Sequence, residues 1–172
     1  CWEGLQRGVF SVFSSDHCPF RYNDPQGKLT PKGRTSFRWV PNGIPGVGAR
    51  LNILFSEGVM KGRISLEQFV ALTATSHARI YGLYPRKGSI AIGADADIAI
   101  WDPKISYTLT HDLIQDGSDY TPYEGFELTG RPVLTMSRGT VIMRDGELVG
   151  HKGHGIYPVS YTHLRAHETL RY

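Results

Sequence analysis

The fold class follows from residues 9–17, VFSVFSSDH, in which a short apolar run leads into a cluster of polar residues. A continuous run of β-branched and aromatic residues bounded by turn residues is typical of a strand buried on both faces. Asp16 would then lie at the carboxyl end of that strand, where α/β barrels place their catalytic groups. The stretch therefore predicts an α/β fold and makes Asp16 a candidate functional residue.

A long polar loop and two helical segments follow the predicted strand. Residues 21–41 lack apolar periodicity, and loops of this length are often functional. Apolar residues at helical spacing predict a helix over residues 47–57, with Gly58 at its end. Ser65 and Gln68 have the spacing of a capping box, which predicts a second helix that ends near Gly82. The order of strand, loop and helices suits the end of an α/β unit.

The second half of the chain changes from helical to alternating patterns. Pro103 is expected to stop the first strand of this half. A tight two-residue turn between two strands is expected at Asp145-Gly146, because both residues of such a turn need a positive φ. We expect strands within residues 96–102 and at residues 133–136, and a hairpin at residues 140–149.

The composition is that of an ordinary folded chain. Hydrophobic residues make up 40% of the 172 residues, which excludes a disordered chain. The 19 Lys and Arg residues exceed the 16 Asp and Glu residues by too little to suggest nucleic acid. No apolar run approaches the ~18 residues of a transmembrane helix, so no membrane partner is expected. The two cysteines, Cys1 and Cys18, favour a reduced, cytoplasmic protein.

The start of the chain is unusual for a natural terminus. The length alone would fit one domain at ~100–200 residues per domain. However, the first residue is Cys1 rather than Met, and Trp2-Glu3-Gly4-Leu5 leads directly into the predicted strand. Natural N-termini are usually looser, so we expect the chain to begin within a longer sequence.

Asp16 and His17 are the sharpest local candidates for chemistry. A carboxylate can bind a divalent metal or move a proton. The alternative is that Asp16 caps a turn and His17 is a polar residue with satisfied hydrogen bonds. Spacing completes no metal site within the chain, because His77 suits its helix end and His151 with His154 fits a solvated pair.

The turn at residues 42–46, Asn-Gly-Ile-Pro-Gly, is the second candidate. Backbone amides freed by such a turn, next to a helix start, can bind a polar group of a ligand. From the residues alone, a plain Asn-Gly turn is the favoured interpretation.

Six motifs taken together resemble the dihydropyrimidinase/D-hydantoinase family of the amidohydrolase superfamily. They occur in the order of the family and are SDHCPF at residues 15–20, PNGIPG at 41–46, LFSEGV at 54–59, YGLYPRKG at 81–88, GADADI at 93–98 and YEGF at 123–126. The resemblance is specific and extends from residue 1 to about residue 158. Over that range the chain is similar to the C-terminal third of such an enzyme.

The resemblance implies a division of the chain into three parts. Residues 1–88 would be the last strand and the closing helices of a metal-dependent (β/α)8 barrel, and residues 89–158 would be the C-terminal part of a small β-sandwich domain. Residues 159–172 do not match the tail of the family. They look like translated adaptor or vector sequence, which fold reasoning should leave out.

The resemblance also implies a hydrolase that acts on small cyclic amides or imides. Family members hold two divalent metal ions, usually zinc, and a hydroxide between them opens a dihydropyrimidine or hydantoin ring to an N-carbamoyl amino acid. Asp16 matches the metal-binding aspartate of the family, which also passes a proton to the leaving nitrogen. Asn42 matches the asparagine whose backbone holds the cyclic amide or imide.

The remaining metal ligands of the family, including a carboxylated lysine, would lie before Cys1. We therefore expect the isolated chain to be inactive, because one carboxylate cannot hold two metal ions. The full-length parent is expected to be a cytoplasmic homotetramer, as in the family. The loops that would select among dihydrouracil, dihydrothymine and substituted hydantoins are not in the chain.

Two alternatives accompany this interpretation. Collapsin-response mediator proteins share the fold and act in protein interaction without metal chemistry. They lack the barrel-end aspartate, whereas Asp16 is present here. Allantoinase and dihydroorotase share the Asp-His pair, but the Cys-Pro-Phe that follows it and the motif at residues 41–46 look more like the dihydropyrimidinase branch.

Overall fold

The computed structural model describes residues 1–159, with short helices in the first half and one sheet in the second. The predicted vector-like tail, apart from Val159, lies outside the described residues. The helical elements are α1 Trp2–Gln6, α2 Arg50–Ile53, α3 Leu66–Val70 and α4 Ser76–Ile80, the π-helical segments Leu54–Met60 and Ala71–Thr75, and the 3-10 helices Phe37–Trp39 and His111–Leu113.

The predicted strand at residues 9–13 is not a strand in this structure, and that prediction is wrong. Val9 is 67% exposed and Phe10 is 44% exposed, so the segment is not buried on both faces. The backbone N–H of Phe13 donates to the carbonyl of Leu72, which lies in a helix. A strand exists only through a hydrogen-bond ladder to a neighbour, and no strand of the described residues pairs with this segment.

The helix predicted over residues 47–57 is present, with both ends shifted. It begins at Arg50 in α2, and the π-helical segment Leu54–Met60 carries it past Gly58, which is buried within the helix. The glycine with a positive φ after the helix is Gly62, at +67°. Glycine takes this conformation without a Cβ clash, so the stop lies at Gly62 rather than at Gly58.

The second predicted helix is confirmed, together with its capping box. Ser65 Oγ accepts a hydrogen bond from the backbone N–H of Gln68 at 3.2 Å, and Gln68 Oε1 accepts one from the N–H of Ser65 at 2.9 Å. The helical residues run on through α3 and the next π-helical segment to Ile80, the last residue of α4. Gly82 follows with a φ of +68°, as the sequence predicted for the stop.

Within residues 1–159 the sheet has four strands, in the order of the sequence: β1 Ile98–Thr108, β2 Glu127–Ser137, β3 Thr140–Arg144 and β4 Glu147–Leu148. β2 pairs antiparallel with β3, and β3 pairs antiparallel with β4. The predicted hairpin turn is confirmed, because Asp145 and Gly146 both have a positive φ, at 51° and 89°.

The prediction that Pro103 stops the first strand is wrong, because β1 continues through it to Thr108. Among the strands that the structure describes, β1 lies at the edge of the sheet and its one neighbour is β2. Proline has no backbone N–H and cannot donate a hydrogen bond to a neighbouring strand. On an edge strand the proline nitrogen can face the side without a neighbour, so no hydrogen bond of the ladder is lost. The edge position of β1 therefore explains why Pro103 does not end the strand.

The described residues fall into two compact units, each drawn from separate parts of the sequence. The first unit consists of Cys1–Phe13, Gly62–Asp102 and the described residues from Arg131 onward, and the second of Ser14–Lys61 and Pro103–Gly130. Asp16 and Asn42 both belong to the second unit. The domain boundary between residues 88 and 89 stays a prediction.

The second unit has a small apolar core beside the candidate site. Its buried members are Ala49, Leu109, Ile114 and Leu128. Gly130 brings the start of β2 close to the helix that follows the Asn42 turn: a Cβ at this position would lie 2.4 Å from the ring of Phe55. The helix after the turn is thus anchored on the sheet strand.

None of the helices in the described part of the chain is long and apolar enough to span a bilayer.

Candidate functional site

Asp16 has an unusual, left-handed backbone conformation. Its φ is +46°, in the left-handed region that L-residues other than glycine rarely adopt. Asp tolerates this region better than most residues, but the conformation still costs about 1 kcal/mol or more. The side chain is exposed. The segment thus turns sharply at Asp16 and presents a carboxylate to its surroundings.

His17 fastens this segment to the start of the next helix. Its Nδ1 accepts hydrogen bonds from the backbone N–H groups of Gly46 at 3.0 Å and Val47 at 3.3 Å. Because Nδ1 is the acceptor, the proton of the neutral ring lies on Nε2. The structure therefore supports the simpler of the two interpretations of His17, a polar residue with satisfied hydrogen bonds.

The turn at residues 42–46 lies directly beside Cys18. The N–H of Cys18 donates to the carbonyl of Ile44 at 3.2 Å. Gly43 has a φ of +96°, and a Cβ there would lie 2.5 Å from the Cβ of Cys18 and 2.9 Å from its carbonyl oxygen. Only glycine fits this position. The segment that carries Asp16 and the turn that carries Asn42 are thus brought together, although residues 21–41 separate them in the sequence.

Lys28 is a site residue that the sequence analysis missed. Its Nζ donates to the carbonyl of Pro41 at 2.5 Å and also to the carbonyl of Gly43, the two carbonyls on either side of Asn42. Lys28 is partly buried, and its ammonium lies 5.7 Å from the ring centroid of Phe20. A single lysine in a polar loop gives no sequence signal, because its partners are main-chain atoms.

Asp119 is the second residue that was missed. Its carboxylate accepts hydrogen bonds from the backbone N–H of Tyr22 at 2.6 Å and of Asn23 at 3.2 Å. The bond from Tyr22 lowers the pKa of Asp119 below its ordinary value, and the bond from Asn23 adds to this effect. The rings of Tyr22 and Tyr120 lie 5.4 Å apart. This contact spans almost a hundred positions, so no local pattern could predict it.

A metal pair does not fit the residues of this chain alone. No group of three or more His, Cys, Asp or Glu side chains within residues 1–159 is arranged to hold a metal ion. The Nε2–H of His77 donates to the carbonyl of Phe13 at 3.2 Å, and that of His154 donates to the carbonyl of Ser137 at 3.0 Å. Asp16 is a single carboxylate, so a metal centre that includes it needs further ligands.

Comparison with known proteins places the chain in a class. The Amidohydrolase family matches residues 1–142. That match covers most of the chain, and the chain therefore belongs to the amidohydrolase family. The resemblance that the six motifs indicated is confirmed, and solved structures of related proteins make this a TIM-barrel family.

Hydantoinases and a dihydropyrimidinase are among the relatives that the chain resembles. The chain is 43% identical to the D-hydantoinase of Geobacillus stearothermophilus over 156 residues, which are 91% of this chain and 32% of that protein. It is 46% identical to the D-phenylhydantoinase of Escherichia coli O1:K1 over 154 residues, which are 90% of this chain and 32% of that protein. The chain thus spans about a third of the length of these relatives.

Solved structures agree with this placement. The D-hydantoinase of Bacillus sp. AR9 superposes with a TM-score of 0.87 at 44% identity, over 92% of this chain and 34% of that chain. The dihydropyrimidinase of Brevibacillus agri NCHU1002 gives a TM-score of 0.87 at 42% identity, over 92% and 34% of the two chains.

Proposed function

We propose that this chain forms part of an enzyme that hydrolyses small cyclic amides, opening hydantoin or dihydropyrimidine rings to N-carbamoyl amino acids. The observation that carries the proposal is the exposed, positive-φ Asp16 beside the Asn42 turn. Support comes from the names of the relatives, which are D-hydantoinase and dihydropyrimidinase. Asp16 also favours the enzyme over the non-catalytic alternative, because the collapsin-response mediator proteins lack this aspartate.

In the proposed enzyme, residues 1–88 would complete the barrel and residues 89–158 would belong to the β-sandwich domain. The exposed side chains of Val9 and Phe10 support the first part, because they form apolar surface that the rest of a barrel would cover. The superposition of 92% of the chain on hydantoinase structures supports both parts.

Asp16 is the proposed catalytic carboxylate and metal ligand. Two divalent metal ions, which are usually zinc in the family, would lower the pKa of the attacking water. Asp16 would take a proton from that water and deliver it to the ring nitrogen that leaves. The other ligands, among them a carboxylated lysine, would come from outside this chain.

Asn42 is the proposed substrate-binding residue, through its backbone. A cyclic amide or imide presents an N–H donor beside a C=O acceptor, and a backbone N–H and C=O form the complementary pair. Neither backbone group of Asn42 has a hydrogen-bond partner within residues 1–159. The turn can therefore offer both groups to a ligand.

We place the proposed enzyme in the cytoplasm as a homotetramer. The free cysteines Cys1 and Cys18 support a reducing compartment. The tetramer follows from the resemblance to the family, and size-exclusion chromatography of the enzyme tests it.

A chimeric enzyme tests the proposed function. Residues 1–158 replace the matching third of the Geobacillus stearothermophilus D-hydantoinase, and ring opening of hydantoin and dihydrouracil is measured with zinc. The chimera is expected to be active. Asp16→Asn removes the proton acceptor, so kcat should fall by about a hundredfold or more, with the thermal transition unchanged.

The matched control for this substitution is Asp112→Asn. The side chain of Asp112 is 94% exposed and should not affect turnover. A folded chimera without turnover would refute the proposed function. Full activity of the Asp16→Asn variant would refute the catalytic role of Asp16 and leave the family assignment intact.

A further inference from the structure

We propose that Lys28 is a positioning residue that holds the Asn42 turn in its ligand-binding conformation. This inference rests on the proposed function and adds a residue that the family resemblance did not supply. Its basis is the pair of hydrogen bonds from Lys28 Nζ to the carbonyls of Pro41 and Gly43. These two carbonyls flank Asn42, so one ammonium group spans the residue that would contact the substrate.

The ammonium group of lysine is suited to this task. It has three N–H donors and no acceptor, and hydrogen bonds from a charged donor are stronger than neutral ones. Its partly buried position reduces screening by solvent and salt. The ring of Phe20, 5.7 Å away, adds a weak attraction for the cation. With the ammonium bound to two main-chain carbonyls, Lys28 acts on the turn rather than on the substrate.

The first half of the turn needs such support. Gly43 gives the backbone freedom that other residues lack, and residues 40–46 have no helix or strand structure. His17 and Cys18 bind Gly46, Val47 and Ile44, which fixes the second half. In the described part of the chain, the hydrogen bonds that fix residues 41–43 are those from Lys28.

Lys28 is itself held in place by main-chain hydrogen bonds within the polar loop. The N–H of Lys28 donates to the carbonyl of Arg21 at 2.9 Å, and the N–H of Leu29 donates to that of Tyr22 at 3.0 Å. Asp119 binds the loop from the other side through the N–H groups of Tyr22 and Asn23. The hydrogen bonds thus run in sequence from Asp119, through the loop, to Lys28 and the Asn42 turn.

The test uses Lys28→Met and Lys28→Arg in the chimera. Methionine keeps the apolar stem and removes the donors, so the turn should sample other conformations and bind substrate less often. KM should rise about tenfold while kcat stays within about twofold, because the chemistry is unchanged. Lys28→Arg keeps the charge and several donors, so it should restore much of the affinity.

A second readout does not depend on turnover. Amide hydrogen exchange at residues 41–46 should become about tenfold faster in the Lys28→Met variant, with exchange in the second predicted helix unchanged. Lys32→Met is the matched control, because Lys32 lies in the same loop and its ammonium faces the ring of Trp39. It should change neither KM nor exchange.

The outcomes separate this inference from the proposed function. An active chimera whose KM and exchange are unaffected by Lys28→Met overturns the inference alone. A fall in kcat at constant KM also overturns it, since that result would mean a direct chemical role. If the chimera is inactive, the proposed function fails, and the exchange rates still decide whether Lys28 holds the turn. If Lys28→Met does not fold, Lys28→Gln, which keeps an amide donor, must show an intermediate KM, and an unchanged KM refutes the inference.

Discussion

Gly43 shows how a single residue can fix the geometry of the candidate site. Its positive φ and its contact with Cys18 both exclude a side chain. We predict that Gly43→Ala in the chimera destabilises the fold by about 1–3 kcal/mol, because it adds backbone strain and a steric clash. KM should rise as well, since the clash displaces the Asn42 turn. Chemical denaturation and steady-state kinetics measure the two effects.

Gly117→Ala is the matched control for Gly43→Ala. Gly117 has a φ of +76° in the same unit, but no atom lies within 4 Å of a Cβ built there. It therefore carries the backbone strain without the clash. Equal losses in both variants, with KM unchanged, would contradict the steric argument.

The residues of the site differ in how far the sequence could predict them. Asp16 was found because a carboxylate after an apolar run is a local pattern. Lys28 and Asp119 were missed because their partners are backbone atoms of residues that are distant in sequence. The sequence suggested a plain turn for Asn42, and only the family resemblance gave this residue a role.

At the scale of elements, one buried hydroxyl joins the helix to the sheet in the second unit. Ser56 is 3% exposed, and its Oγ accepts a hydrogen bond from the N–H of Thr129 at 2.9 Å. We predict that Ser56→Ala destabilises the chimera by about 1–3 kcal/mol, because a strand N–H loses its buried partner. The exposed Ser106 is the control: Ser106→Ala should cost less than about 0.5 kcal/mol in the same denaturation experiment. Equal destabilisation by the two variants would contradict the role of Ser56 Oγ as the buried partner of the Thr129 N–H.

Asp97 connects the start of β1 to the turn between β2 and β3. Its Oδ1 accepts a hydrogen bond from the N–H of Arg138 at 2.8 Å, and its Oδ2 accepts one from Lys87 Nζ. Partial burial raises the pKa of Asp97, but the bonds from Lys87 and Arg138 outweigh it, and the pKa lies below its ordinary value. The folded state therefore binds the proton more weakly than the unfolded state does.

The stability that Asp97 contributes should depend on pH. It is fully present above the unfolded pKa and is lost as the pH falls through the lower, folded pKa. We predict that Asp97→Asn lowers the melting temperature of the chimera at neutral pH, and that the difference from the parent chimera shrinks as the pH falls below about 4, the ordinary pKa of an aspartate. Glu147→Gln, on the exposed strand β4, is the control. A difference that is constant with pH would count against this role.

Elements with a complete local signal were predicted correctly. The capping box at Ser65 and the Asp145-Gly146 turn each depend on residues within a few positions of each other. The strand prediction for residues 9–13 was wrong, because an apolar pattern produces a strand only when neighbouring strands exist to pair with it. The prediction that Pro103 ends its strand was wrong, because proline disrupts a central strand but is tolerated in a strand at the edge of a sheet.

At the scale of the whole chain, both units expose large apolar side chains. Phe37 is 90% exposed in the second unit, and Ile90 and Ile92 are 86% and 109% exposed in the first. Clusters of exposed apolar side chains mark surfaces that another protein segment covers. In the proposed enzyme the remaining two thirds of the hydrolase would cover them. The composition gave no sign of this, because it counts apolar residues without regard to their partners.

The isolated 172-residue chain should therefore lack both cooperative folding and activity. Exposed apolar surface weakens the gain from burial that offsets the chain's conformational entropy, and Asp16 alone cannot hold a metal pair. We expect a broad thermal transition by circular dichroism and no turnover of dihydrouracil with zinc above the zinc-only blank. The chimera, measured alongside, should melt sharply and turn over substrate. A sharp transition of the isolated chain would show that residues 1–159 need no further partner to fold, and turnover would show that the chain supplies a complete catalytic site.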